Sequence, residues 1–274
     1  MSELENNRIV AAFDQARQEG RKQLLPFLTA GYPSLEITEA LLHDIERRGA
    51  RICELGVPFS DPVADGPTIQ ASYVDALAAG VTVDGIFEMV RRYRSAGGAM
   101  GLISMVSYSI VYRRGVEAYV RAAADAGLDG LIIPDLSLEE AATVEQIATS
   151  AGLCNIMLIS PNTPPSRRRQ IASHCRGFIY FMSVVGITGE RDRLPEPTIV
   201  AVGELRHHTD TPICVGFGIS RPEMVATVCE VAEGAIVGSA IVKRITAAKD
   251  KPADQLVPEV GDFVGELLEP IKAG

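Results

Sequence analysis

Three carboxylates, Glu54, Asp61 and Asp65, stand close together in the segment Glu54-Leu55-Gly56-Val57-Pro58-Phe59-Ser60-Asp61-Pro62-Val63-Ala64-Asp65-Gly66-Pro67. A carboxyl at the end of an apolar strand suits proton transfer, and two more acids follow it in the next loop. Glu54 ends the apolar run Ile52-Cys53-Glu54-Leu55, and strand alternation puts it on the face of Ile52. It is expected to be buried or half-buried, and burial moves a lone acid's titration toward neutrality, as a group that both gives and takes protons requires. The alternative is a structural acid paired with an arginine. The loop that follows is long and stiffened by Pro58, Pro62 and Pro67, so it positions something. Asp61 and Asp65 each have a plainer use as well, capping the helix that begins after Pro67 or bonding the local backbone.

A second chemistry is written in glycines: Gly186-Ile187-Thr188-Gly189, Gly216-Phe217-Gly218-Ile219-Ser220 and Gly238-Ser239 each follow an apolar run late in the chain. Backbone N–H groups converging beside a helix N-terminus suit a phosphate dianion, and glycine lets it approach closely. Each glycine taken singly is equally a tight turn. The only lysines are Lys22, Lys243, Lys249, Lys251 and Lys272, none at the carboxyl end of an expected strand, so no Schiff-base amine is expected. His43, His174, His207 and His208 lie in or at the ends of expected helices, which argues against a metal cluster. The residues therefore predict acid–base work on a small phosphorylated substrate, with no metal and no cofactor.

The elements that must position these groups are legible as apolar runs: Leu24 to Leu28, Arg51 to Leu55, Met100 to Val106, Gly130 to Pro134, Cys154 to Ser160, Phe178 to Ser183, Pro212 to Gly216 and Ala235 to Gly238. Segments of helical period separate them. Ile37, Leu41, Leu42 and Ile45 share one face before Gly49 stops the helix, and Ser137 with Glu140, then Ser220 with Glu223, read as capping boxes. Strands hydrophobic on both faces, alternating with helices, make a parallel sheet covered by helices, and eight such units close into a (β/α)8 TIM barrel, an α/β fold with an extra N-terminal helix. A doubly wound sheet is the alternative. A last helix is expected over about Asp254 to Leu268. No break in composition divides the chain, so residues 1–274 are read as a single TIM-barrel domain.

Catalytic groups in this architecture come from the carboxyl ends of the strands, where Glu54, Asp65 and the glycine junctions fall. The formal net charge of −9 removes the electrostatic footprint needed for a nucleic acid or an anionic membrane, leaving a small-molecule partner. Five cysteines, an odd number with no CxxC pair and mostly inside apolar runs, suit a reducing cytoplasm. The charged N-terminus carries no export pattern, and no apolar run is long enough to span a membrane.

Pro26-Phe27-Leu28-Thr29-Ala30-Gly31-Tyr32-Pro33, the segment Glu54 to Gln70, Gly216-Phe217-Gly218-Ile219-Ser220 and Gly238-Ser239-Ala240-Ile241-Val242 resemble the tryptophan synthase alpha chain family, over roughly residues 20 to 265. The resemblance implies a carbon–carbon lyase of tryptophan biosynthesis that cleaves indole-3-glycerol phosphate to indole and glyceraldehyde 3-phosphate. It implies Glu54 and Asp65 as catalytic acids, Phe27, Tyr180, Thr188 and Phe217 around the substrate, and Gly189, Gly218, Gly238 and Ser239 at the phosphate. For the aromatic residues, barrel core is the alternative. The segment Val184 to Pro197 resembles the family's lid, with Thr188 meeting Asp65 on closure. A beta-chain partner in an alpha2beta2 tetramer is implied, pyridoxal phosphate belonging to that partner. Two stretches depart from the family: Ser107-Tyr108-Ser109-Ile110 stands where Tyr-Asn-Pro is usual, and Val185 where Ser or Thr is common. Both lie near the expected beta-chain contact and lid hinge, so a self-sufficient lyase and a catalytically silent activating subunit are the other readings.

Overall fold

Buried on both faces and rich in Val, Ile and Leu, the apolar runs form parallel strands whose order follows the chain. A computed structural model describes residues 4–62, 65–183, 194–216 and 218–272. Its strands are β1 (Gln23–Thr29), β2 (Ile52–Gly56), β3 (Gly101–Met105), β4 (Gly130–Ile132), β5 (Cys154–Ile156), β6 (Leu158–Ile159), β7 (Ile179–Met182), β8 (Ile213–Gly216) and β9 (Gly234–Val237). They pair in the order β5-β4-β3-β2-β1-β9-β8-β7-β6, every pair parallel. The two ends of this order, β5 and β6, are halves of one apolar run. That run was expected as a single strand, and it divides at Met157. Its first half bonds β4 and its second half bonds β7, while the Met157 carbonyl accepts from Tyr180 N at 3.1 Å, so the ring closes through it. The expected TIM barrel is present, its fifth staves split by the change of partner.

The covering helices follow from caps and faces. Helix α1 (Arg8–Gln18) precedes β1, and α2 (Leu35–Arg48) starts where Ser34 Oγ accepts from Ile37 N and stops at Gly49, whose φ of 113° is costly for a residue with a side chain. Then come α3 (Pro67–Ala78), α4 (Val83–Ser95), α5 (Tyr108–Arg114), α6 (Val116–Ala126), α7 (Leu138–Ser150), α8 (Pro165–Ser173), α9 (Glu196–Arg206), α10 (Pro222–Val231), α11 (Ser239–Ala248) and α12 (Ala253–Lys272). Of the first expected capping box the N-cap half forms, Glu140 N donating to Ser137 Oγ, while the Glu140 carboxylate accepts from the Ser137 hydroxyl at 2.9 Å in place of the backbone N–H. The second does not form. Pro222 takes the first helical position of α10, so Arg221 is the N-cap and Ser220 falls one residue too early to reach the turn. Among the described residues no helix is long and apolar enough to cross a membrane, and all five cysteines are buried and free.

Helix α1 decides which end of the barrel stays open. Ile9 is fully buried at the amino ends of the strands, against Gly101, Gly130 and Gly177; a Cβ on Gly130 would lie 2.8 Å from it, and one on either of the others would crowd it. Asn7 holds the helix there: its Oδ1 caps Ile9 N at 3.0 Å, and its Nδ2 donates to the carbonyls of Asp129 and Gly152 at 2.7 and 2.8 Å. Asp129 is in turn ringed by Arg8, Arg94 and Leu102 N. With that end plugged, space for a ligand is left at the carboxyl ends, as the architecture requires.

Candidate active site

Phe27 on β1, Glu54 on β2 and Ile103 on β3 stand in register, one pleat below the strands' carboxyl ends. Across the barrel, Tyr180 on β7 is in register with Leu158 on β6 and Cys214 on β8. Phe27, Glu54, Asp65, Tyr180, Gly218, Gly238 and Ser239 line one cavity at the barrel mouth. The structure thus brings together seven of the ten site residues expected from sequence. The other three, Thr188, Gly189 and Phe217, lie outside the described residues, as does most of the expected lid segment and Val185.

Glu54 is 1% exposed, and among the described residues neither of its carboxyl oxygens has a hydrogen-bond partner. Among the described residues no arginine pairs with it, as a structural acid would require. Asp65 caps nothing: α3 starts from Gly66 with no side-chain cap and Pro67 in its first turn. The Asp65 backbone carbonyl instead accepts from Gln70 Nε2 at 2.8 Å, which ties the loop down and leaves the carboxylate on the cavity wall. Asp61 neither caps α3 nor bonds the backbone among the described residues; it is exposed and accepts from the Ser60 hydroxyl at 2.7 Å. Two strands along the barrel from β2, α11 begins at Ser239 just beyond β9, and the first backbone N–H groups paired within it are those of Ile241 and Val242, both to Gly238 O. The N–H groups of Ser239 and Ala240 are left facing the helix's positive end, which suits a phosphate.

The tryptophan synthase alpha chain family model matches residues 13–267 of the chain. A tryptophan synthase alpha chain of Rhodopirellula baltica is 44% identical over 270 residues, covering 95% of this chain and 97% of that one. One from Geobacter sulfurreducens is 43% identical, covering 97% and 99%. Among solved structures, Mycobacterium tuberculosis tryptophan synthase superposes with a TM-score of 0.88 at 33% identity, over 98% of this chain and 100% of that one. The alpha chain from Legionella pneumophila gives 0.86 at 32%, over 97% of each. The chain belongs to the tryptophan synthase alpha chain family.

In this family member the two acids are tuned apart. Burial, and then the charge of Asp65, pushes the Glu54 carboxyl far above the usual carboxylate range. Burial alone raises Asp65 to about 6. The upward shift favours a proton on Glu54, while Asp65 carries charge above about pH 6, a division of labour that lets one donate a proton while the other attracts a cation. Among the described residues no group of three or more His, Cys, Asp or Glu could hold a metal ion.

Sequence reasoning missed the apolar walls, Ile69, Met105, Leu158, Met182 and Ile236, because short strands alternate and a one-residue uncertainty in register exchanges wall for core. It also missed two glycines that make room for rings. A Cβ on Gly216 would lie 2.7 Å from Tyr180 Oη; one on Gly56 would lie 2.6 Å from Tyr73 Oη and closer still to the tip of the Phe27 ring. Gly56 points to the same face of β2 as Glu54, so it is the floor on which the Phe27 wall rests. Gly56→Ala is expected to lower Tm, by overpacking of about 1–3 kcal/mol, and to raise KM for the substrate about tenfold as Phe27 is displaced. Thermal unfolding and initial rates check this, and unchanged values of both would show that the ring has room to give.

Proposed function

We propose that the chain cleaves indole-3-glycerol phosphate to indole and glyceraldehyde 3-phosphate by a retro-aldol step, as the alpha subunit of tryptophan synthase. The observation that carries the mechanism is the unpartnered, buried Glu54 carboxyl sharing a cavity with the Asp65 carboxylate. Glu54, held protonated, gives its proton to C3 of the indole ring, and the ring becomes an indolenine cation. Asp65 accepts a hydrogen bond from the ring N–H and stabilises the positive charge there, a contact that strengthens only along the reaction path. The Glu54 carboxylate then takes the proton of the glycerol hydroxyl next to the ring as the carbon–carbon bond breaks. The bonding pair returns to the ring, the aldehyde leaves, and Glu54 is again an acid.

Phe27 and Tyr180, joined by Phe217, sandwich the apolar ring, while Gly218, Gly238 and Ser239 with the first turn of α11, joined by Gly189, hold the phosphate. Residues 1–274 act as one catalytic domain, in the cytoplasm, where the buried free cysteines stay reduced. A tryptophan synthase beta chain is the partner that receives the indole. Incubating the purified chain with indole-3-glycerol phosphate and assaying indole tests the chemistry, and adding a beta chain tests the partnership. Released indole that increases with the beta chain supports both; no indole under either condition would refute the reading.

A further inference from the structure

The mechanism leaves the hydroxyl of Tyr73 without a task. Tyr73, on the face of α3 that covers the barrel mouth, is 3% exposed, and its hydroxyl lies against the inward side of Gly56 beside the tip of Phe27. It lines a second cavity, which meets the substrate cavity at Asp65 and Met105, the two residues common to both walls. Among the described residues the Tyr73 hydroxyl makes no hydrogen bond. A phenol used only for packing ordinarily finds a partner when it is buried.

The acids around that cavity are Asp61, Asp65 and Asp135, with Glu54 one pleat below on β2. Asp61 is occupied by the Ser60 hydroxyl. Asp135 accepts from the Ser107 hydroxyl at 2.8 Å and from Tyr108 N at 2.7 Å. The Glu54 oxygens are also unpartnered, but Glu54 does not line this cavity, so on the wall that Tyr73 shares Asp65 is the carboxylate that accepts no hydrogen bond among the described residues. Burial, and then the charges of Asp65 and Glu54, push the Tyr73 phenol well above its usual range, so it is a donor at every working pH.

We propose that Tyr73 is a positioning residue of the cleavage site, its hydroxyl donating to the Asp65 carboxylate when the indole ring is seated and holding that carboxylate charged and aimed at the ring N–H. This rests on the cleavage reading above. Tyr73→Phe removes one oxygen and leaves the ring packing in place, which an unchanged Tm verifies. In the variant kcat is expected to fall about tenfold with KM within about twofold of the parent, because the contact acts where charge develops rather than on ground-state binding. Loss of a donor that favours the charged form also raises the Asp65 pKa. Carbon-13 NMR of the aspartate carboxyls with indole present should therefore place the Asp65 titration at least half a unit higher in Tyr73→Phe than in the parent, with Asp65→Asn identifying the signal. Superimposable titrations would overturn the proposal whether or not the enzyme turns over, and so would a rise in KM at constant kcat. Failure of the unaltered chain to release indole would instead count against the cleavage reading, and the titration would still decide the role of Tyr73.

Discussion

Glu54→Gln is expected to lose about 10⁴-fold in kcat, since in the proposed mechanism one group performs both proton transfers and each general acid or base step contributes on the order of 10² to 10⁴. The same change is expected to stabilise the fold at neutral and alkaline pH. A carboxyl whose titration is raised by folding is most favourable to the native state below its unfolded value of 4.5, and its contribution declines as pH rises through the folded value. Glutamine does not ionise and has no such decline. The Tm of the variant relative to the parent should therefore be near zero at pH 4.5 and positive at pH 8, the gap opening as the parent is forced to bury a charge with no partner. Rapid-quench measurement of indole release and thermal unfolding across pH check the two halves separately. Activity within tenfold of the parent would move the proton transfers to another group, and a constant Tm difference would mean that water or a cation relieves the buried carboxylate.

That Glu54 and its neighbours were visible before any coordinates reflects how the architecture exposes its chemistry. A strand buried on both faces has to be apolar, so an acid at its end has no structural excuse unless a cation meets it, and the fold shows that none among the described residues does. Gly238 and Ser239 were visible for a related reason, since a glycine between a strand and a helix marks the place where backbone N–H groups face outward. Other features were hidden because they depend on pairs distant in sequence. The division of the Cys154 to Ser160 run at Met157 arises only when β4 and β7 pull its two halves into different ladders. Ser220 and Glu223 have the spacing of a capping box, yet Pro222 fixes the start of α10 one residue later and the local pattern gives way to proline geometry. Tyr73 sits four residues after Ile69, a helical spacing that reads as core packing, and only the fold places its hydroxyl over Gly56 beside the catalytic strand.

Asp65→Asn is expected to cost about 10²- to 10³-fold in kcat, the loss typical when one preorganised electrostatic contact to a transition state is removed. Its stronger signature is in the pH profile. In the parent, kcat/KM should fall about tenfold per pH unit below about 6, where Asp65 becomes protonated and no anion remains to meet the ring cation. It should fall again on the alkaline side, where Glu54 loses the proton that it must donate. Because the Asp65 charge is part of what holds that proton on Glu54, neutralising position 65 acts on both limbs at once. In Asp65→Asn the acid limb near pH 6 should disappear, and the alkaline limb should move to lower pH. An asparagine that merely disturbed the loop would reduce the rate and leave both limbs where they were. Retention of the acid limb in the variant would assign that titration to some other group and separate Asp65 from the chemistry, whereas loss of one limb together with displacement of the other is a result that only two acids facing each other across the reacting ring would produce.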